Sequence, residues 1–102
     1  MRNRAELNQK LCDILGTNNV YFQPPETLKL NYPCIIYKKQ APDTKYADNL
    51  NYFRTKRYQI TVVDKNPDSD IADRIAASFE NIREENSFTS NNFYHTVLIL
   101  YF

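Results

Sequence analysis

Lys56-Arg57-Tyr58-Gln59-Ile60-Thr61-Val62-Val63-Asp64, followed at once by Lys65-Asn66-Pro67-Asp68-Ser69-Asp70, reads as a long strand, a proline turn and the start of a helix. The strand is expected over about 53–64. Its even positions Tyr58, Ile60 and Val62 are apolar, and its odd positions Thr55, Arg57, Gln59 and Thr61 are polar. That alternation fits an antiparallel sheet with one face on the core and the other turned to water or a partner. Asp68, Ser69 and Asp70 can each cap a following helix and favour its positive end. Ile71, Ile75, Phe79 and Ile82 recur at helical spacing and predict a buried stripe ending near Glu84.

Working outward, residues 93–102 are apolar at odd and even positions alike, which predicts a central strand covered on both faces. The polar Asn/Ser/Thr stretch 86–92 before it reads as a turn region. Upstream, Cys34 to Lys39 reads as another strand, and Val20-Tyr21-Phe22, stopped by Pro24-Pro25, as a short edge strand. Leu7, Leu11, Ile14 and Leu15 predict an amphipathic helix over 4–15, and Gly16, the sole glycine, falls where a left-handed residue ends a helix. The expected fold is a single α+β domain over residues 1–102: two helices on a mostly antiparallel sheet of about four strands.

The 102 residues suffice for one core, and their formal net charge of +1 does not by itself point to nucleic acid. The charge is unevenly spread. Residues 1–65 hold eleven Lys/Arg against six Asp/Glu, and residues 66–102 hold two against six. One reading is chance plus helix-dipole preference. The other is a subunit with two electrostatically different faces, suited to head-to-tail contact between copies. No stretch approaches the roughly 20 apolar residues of a membrane span. The basic N-terminal residues precede no apolar run, so no signal peptide is expected, and Cys12 and Cys34 are expected as buried reduced thiols.

Catalytic, metal and cofactor sites are not expected. One His and two distant Cys make no ligand cluster of the usual kind, and one glycine makes no phosphate loop. Asp68, Ser69, Asp70 and Asp73 suit helix capping better than a hard cation, and His95 suits a structural place at a sheet end better than a catalytic base. For nucleic acid, Lys38, Lys39, Arg54, Lys56 and Arg57 interleave with Tyr37 and Tyr58, a pattern that can contact backbone and stack bases. A solvated polar sheet face uses the same residues. The aperiodic segment 40–52 sets Tyr46, Leu50 and Tyr52 among Asp48, Asn49 and Asn51. Apolar anchors in a polar rim are the makeup of a protein contact, though the same side chains could fold over the core edge. The partner-contact candidates are therefore Tyr46, Asp48, Asn49, Leu50, Tyr52, Arg54, Lys56 and Arg57. The subunit-interface candidates are Lys38, Lys39, Glu80 and Glu84.

Taken in order, Leu11-Cys12-Asp13-Ile14-Leu15-Gly16, Asn19-Val20-Tyr21-Phe22-Gln23-Pro24-Pro25, Tyr32-Pro33-Cys34-Ile35-Ile36-Tyr37, Ala47-Asp48-Asn49, Lys56 to Val62, Asn66-Pro67-Asp68-Ser69 and the His95-centred final strand span nearly the whole chain. Their order and spacing resemble the tail terminator (tail-completion) proteins, small neck proteins of long-tailed bacteriophages. The resemblance implies an α/β subunit that forms a ring, typically a hexamer, at the head-proximal end of the tail tube. It implies a ring that ends tube polymerisation and joins tail to head, contacting the tail tube protein and the head-side connector while DNA passes through its bore without sequence-specific binding. It implies a virion protein assembled in the host cytoplasm, with no cofactor and no membrane. A head-side stopper, an adaptor or a minor capsid protein of the same neck is the alternative, and a small nucleic-acid-binding module comes after it.

Overall fold

The stretch 57–64 lies in the middle of the sheet, with a neighbour on each side. In the structure, a computed structural model that describes residues 3–40 and 56–102, the order is α1 (Arg4–Leu15), β1 (Val20–Phe22), β2 (Cys34–Gln40), β3 (Arg57–Asp64), α2 (Ile71–Ser78), β4 (Ile82–Ser90) and β5 (Phe93–Tyr101). The strands form one mixed sheet of order β1-β2-β3-β5-β4. All its pairings are antiparallel except β1 on β2, which is parallel. The fold is thus α+β with two helices, as expected, but the sheet has five strands rather than about four.

The fifth strand is β4, and it replaces two expectations at once. The helix does not run to Glu84: Ser78 is its last residue and Phe79 is already extended, at φ −128° and ψ 150°. Residues 82–90, read as helix end and polar turn, form an edge strand paired with β5. Its reversal is tight, with Asn91 and Asn92 both at positive φ, 53° and 68°. Asparagine tolerates this region, and two such residues match the twist of a two-residue hairpin. Ile82 keeps its place against the core, but from a strand.

The helices cover one side of the sheet only. Leu7, Leu11 and Leu15 of α1 and Ile71 and Ile75 of α2 pack on Ile35 and Tyr37, on Tyr58, Ile60 and Val62, and on Leu98, Leu100 and Phe102. Period-two strands and period-3.6 helices put these residues on facing surfaces. Tyr37, fully buried, donates its hydroxyl hydrogen to Asn8 Oδ1 on α1 at 2.7 Å, so its polar end is satisfied. Phe79 meets Phe102 edge to face at 5.8 Å and closes the core beyond the end of α2.

The helix ends follow their local chemistry. Asn3 caps α1 by accepting from the Glu6 N–H at 2.9 Å. Gly16 ends α1 at φ 84° and donates to the Cys12 carbonyl at 2.8 Å, a conformation that costs glycine little. At α2 only Ser69 of the three expected caps accepts from a helix N–H, that of Ile71 at 3.4 Å. Asp70 occupies the cap position without a capping bond and instead lies 3.4 Å from Arg74 Nε. Cys12 and Cys34 are both unpaired thiols.

Candidate functional site: the open face of the sheet

The face turned away from the helices has a regular grid, fixed by strand register. One transverse row is Gln40, Arg57 and Tyr101. The next is Lys38, Gln59, Ile99 and Arg83, and the third is Ile36, Thr61, Val97 and Asn86. The fourth is Cys34, Val63, His95 and Phe88. Adjacent strands lie about 4.8 Å apart, so the backbones at Lys38 and Arg83 are separated by roughly 14 Å. The described strand positions of this face carry the cations Lys38, Arg57 and Arg83 and no Asp or Glu. Glu85 stands at the irregularity between Glu84 and Asn86 and has no register partner.

The grid changes character from one end to the other. At the end of Gln40 and Arg57 it is polar. The Gln40 side-chain amide donates to Gln59 Oε1 at 2.6 Å. Gln40 Oε1 and Arg57 Nε, on residues directly paired across β2 and β3, are buried without hydrogen-bond partners. At the other end it is aromatic. Phe88 stacks on the His95 ring, centroids 4.7 Å apart and planes within 6°. Tyr32 packs on Phe93 at 4.3 Å, with Lys65 Nζ 5.5 Å from the Phe93 centroid. Tyr32 and Phe88 remain 41% and 46% exposed. His95, expected at a sheet end, lies on β5 with its ring stacked on Phe88.

The sequence-derived candidates scatter. Tyr46, Asp48, Asn49, Leu50, Tyr52 and Arg54 lie outside the described residues. Lys56 is exposed next to the sheet, its backbone exchanging hydrogen bonds with Phe102. Arg57 and Lys38 lie on the open face, and Lys39 on the helix-covered face. Glu80 is exposed between α2 and β4. Glu84 is exposed on β4, opposite Leu98 and so on the helix side, not on a helix. The proposed stacking residues Tyr37 and Tyr58 are each 1% exposed in the core, which removes them as base platforms. The exposed aromatics sit elsewhere, at Tyr32 and Phe88 and, on the helix-side positions of β5, at Tyr94. Phe88-Thr89 before the Asn91-Asn92 pair was the available signal for them, since two β-formers flanking a positive-φ dipeptide indicate a hairpin.

Few side chains are placed for reaction chemistry among the described residues. Burial pushes the Cys34 thiol up to about 11, with Asp64 adding to the shift, so it stays protonated at neutral pH. Burial, then Asp13, also raises Cys12. Among the described residues no three His, Cys, Asp or Glu gather as metal ligands. One hollow, between β3, β5 and the start of α2, is about 50 Å³, room for one or two waters, and more open grooves of about 290, 430 and 380 Å³ lie beside Phe88 and His95, beside Ile36 and Lys38, and beside Asn8 and Phe22. No protein-family model, curated protein or solved structure matches this chain.

Proposed function

We propose that this protein is a structural subunit of the neck of a long-tailed bacteriophage. Its copies form a ring at the head-proximal end of the tail tube, end tube polymerisation and join tail to head. The family resemblance supplies the role. The observation that carries it into three dimensions is the asymmetry of the sheet: one face packed by both helices, the other without a helix among the described residues, with exposed cations at Lys38 and Arg83 and exposed rings at Tyr32 and Phe88 around a buried centre at Val63, Val97 and Ile99. Among the described residues no helix packs on that face, and its exposed positions Lys38, Arg83 and Phe88 offer a surface to another protein. Aromatic and Arg side chains there are the types enriched in interface centres. The proposed partners are further copies of the chain, the tail tube protein and the head-side connector, with DNA in the bore.

Deleting the gene and imaging the lysate by electron microscopy tests the role. The expected result is filled heads with no functional tails, and tubes that are unjoined or over-long. Normal tails attached to heads would end the proposal. Tails of normal length left unattached would favour a head-side stopper or adaptor.

A further inference from the structure

We infer that the open sheet face of one copy docks on the acidic α2 end of the helical layer of a second copy. This rests on the neck-subunit reading and names the surfaces through which its copies meet. The charge division carries it. The register-paired strand positions of the open face hold Lys38, Arg57 and Arg83 with no carboxylate, and Glu85 at the β4 irregularity has no register partner. Between residues 66 and 81, by contrast, four carboxylates (Asp68, Asp70, Asp73 and Glu80) stand against one cation, Arg74. All four of those carboxylates belong to exposed residues. In three dimensions the contrast lies across the sheet rather than between the two halves of the sequence: Arg83 of the acidic half stands on the open face, while Lys39, and Lys10 against the Phe79 and Phe102 rings, stand on the helix side. Opposite charge on opposite sides makes a self-complementary pair only when copies stack in the same sense. Such a contact is heterologous and closes a ring or continues as a filament.

Two features favour face-to-layer docking over strand addition. The long exposed edge, β4, carries an irregularity between Glu84 and Asn86 and the charged run Arg83-Glu84-Glu85, devices that discourage pairing with another strand. The opposite edge, β1, has three residues, too short a ladder to define a register. On the face itself, Phe88 and Tyr32 give the contact apolar area at one end, and Lys38 and Arg83 give it charge about 14 Å apart within one row. A single-stranded nucleic acid would also use cations and rings. Here Lys38, Arg57 and Arg83 lie toward one end of the grid and the exposed rings toward the other, with Lys65 alone among the rings, rather than alternating along one track, which suits a protein surface better.

The test uses two full-length charge-reversed variants, Lys38→Glu/Arg83→Glu and Asp73→Lys/Glu80→Lys, with thermal unfolding run on each to verify the fold. Sedimentation at rising protein concentration and low salt is expected to show association of the native chain. Each variant alone should associate at least about tenfold more weakly, and an equimolar mixture should regain most of the loss, because each offers the other a complementary surface. Neutral versions, Lys38→Gln/Arg83→Gln and Asp73→Asn/Glu80→Gln, keep the comparison readable if a reversed variant fails to fold. They should weaken association singly and, when mixed, recover only the pairing of the one intact face with the one intact layer, stopping at pairs, whereas the reversed mixture associates further. A native chain that stays monomeric, variants that associate like the native chain, or a reversed mixture that does not recover would overturn the inference. So would native-chain retention on single-stranded DNA that Lys38→Glu/Arg83→Glu abolishes while association is unchanged. Loss of this contact leaves the gene-deletion phenotype untouched, so the two proposals fail separately.

Discussion

The two faces of this sheet are built from the same five strands, yet they obey different rules. The covered face is a continuous apolar layer from Ile35 to Phe102, matched by leucines and isoleucines of both helices. The open face is mixed: Ile99 is fully buried, Val97 and Val63 nearly so, while Lys38 and Phe88 reach solvent. Stability is concentrated on the first face, where apolar groups leave water on both sides of the contact. On the second, the exposed positions Lys38, Arg83 and Phe88 can change with less effect on folding, which leaves them available for recognition.

The largest test of that contrast is Ile75→Asp. Ile75 is fully buried between α2 and the sheet, and an unpaired carboxylate there costs on the order of several kcal/mol. The expected result is an unfolded or aggregated chain by circular dichroism. A soluble variant with native melting would mean the covered face is not the stabilising one.

Next comes the neighbouring pair Leu98→Ala and Ile99→Ala, which differ mainly in the face they occupy. Leu98 sits in the helix-covered cluster and should cost about 2–5 kcal/mol in chemical denaturation, within the range for buried large-to-small changes. Ile99, equally inaccessible but on the open face, should fall at or below the low end, because no helix holds a cavity open there. Equal losses would erase the distinction.

Alkaline titration samples both faces at once. The unfolded Cys34 thiol ionises near 9.0, while the folded one holds its proton to about 11. In that window the unfolded state binds fewer protons, so stability is intact below about pH 9 and falls as pH rises toward 11. Burial raises Tyr37 and Tyr58 as well, against a lowering influence of Arg4, so the covered face adds a loss of the same sign above about pH 10. Cys34→Ser should remove most of the lower part of the decline in a stability profile, leaving the share due to Cys12, and leave the upper part. A profile flat from pH 8 to 11 would contradict both shifts.

Phe88→Ala should have the smallest effect on folding. The ring is 46% exposed and touches mainly His95, so a change within about 0.5 kcal/mol is expected, together with weaker self-association. A loss as large as that of Leu98→Ala would make Phe88 part of the core.

Adjacent strands of equal length, β4 and β5, show why some of the fold was legible and some was not. β5 announces itself because it is interior: with neighbours on both sides and cover on both faces, nearly every position must be apolar. β4 is an edge strand with exposed residues throughout except half-buried Ile82, so selection for burial leaves almost no periodic mark on it. The spacing of Ile71, Ile75, Phe79 and Ile82 continued a helical stripe that the backbone leaves at Phe79. Burial alone cannot distinguish a helix that continues from a strand that returns to the same core. At the candidate site, the cations Lys38 and Arg57 were readable as an exposed polar pattern. The role assigned to Tyr37 and Tyr58 was not, because sequence neighbours on a strand point to opposite faces.

By itself the sequence determined α1 with its glycine stop, the alternation of β3, the interior character of β5 and the α+β class. Each is written in local periodicity and turn chemistry, which depend on residues a few positions apart. Only the tertiary structure decided the parallel pairing of β1, the conversion of 82–90 into an edge strand, and the gathering of Lys38, Arg83, Phe88 and Tyr32 on one face. Those follow from register between strands far apart in the chain. A shift of one residue exchanges the two faces of a strand, and the sequence pattern of an exposed edge does little to fix that register.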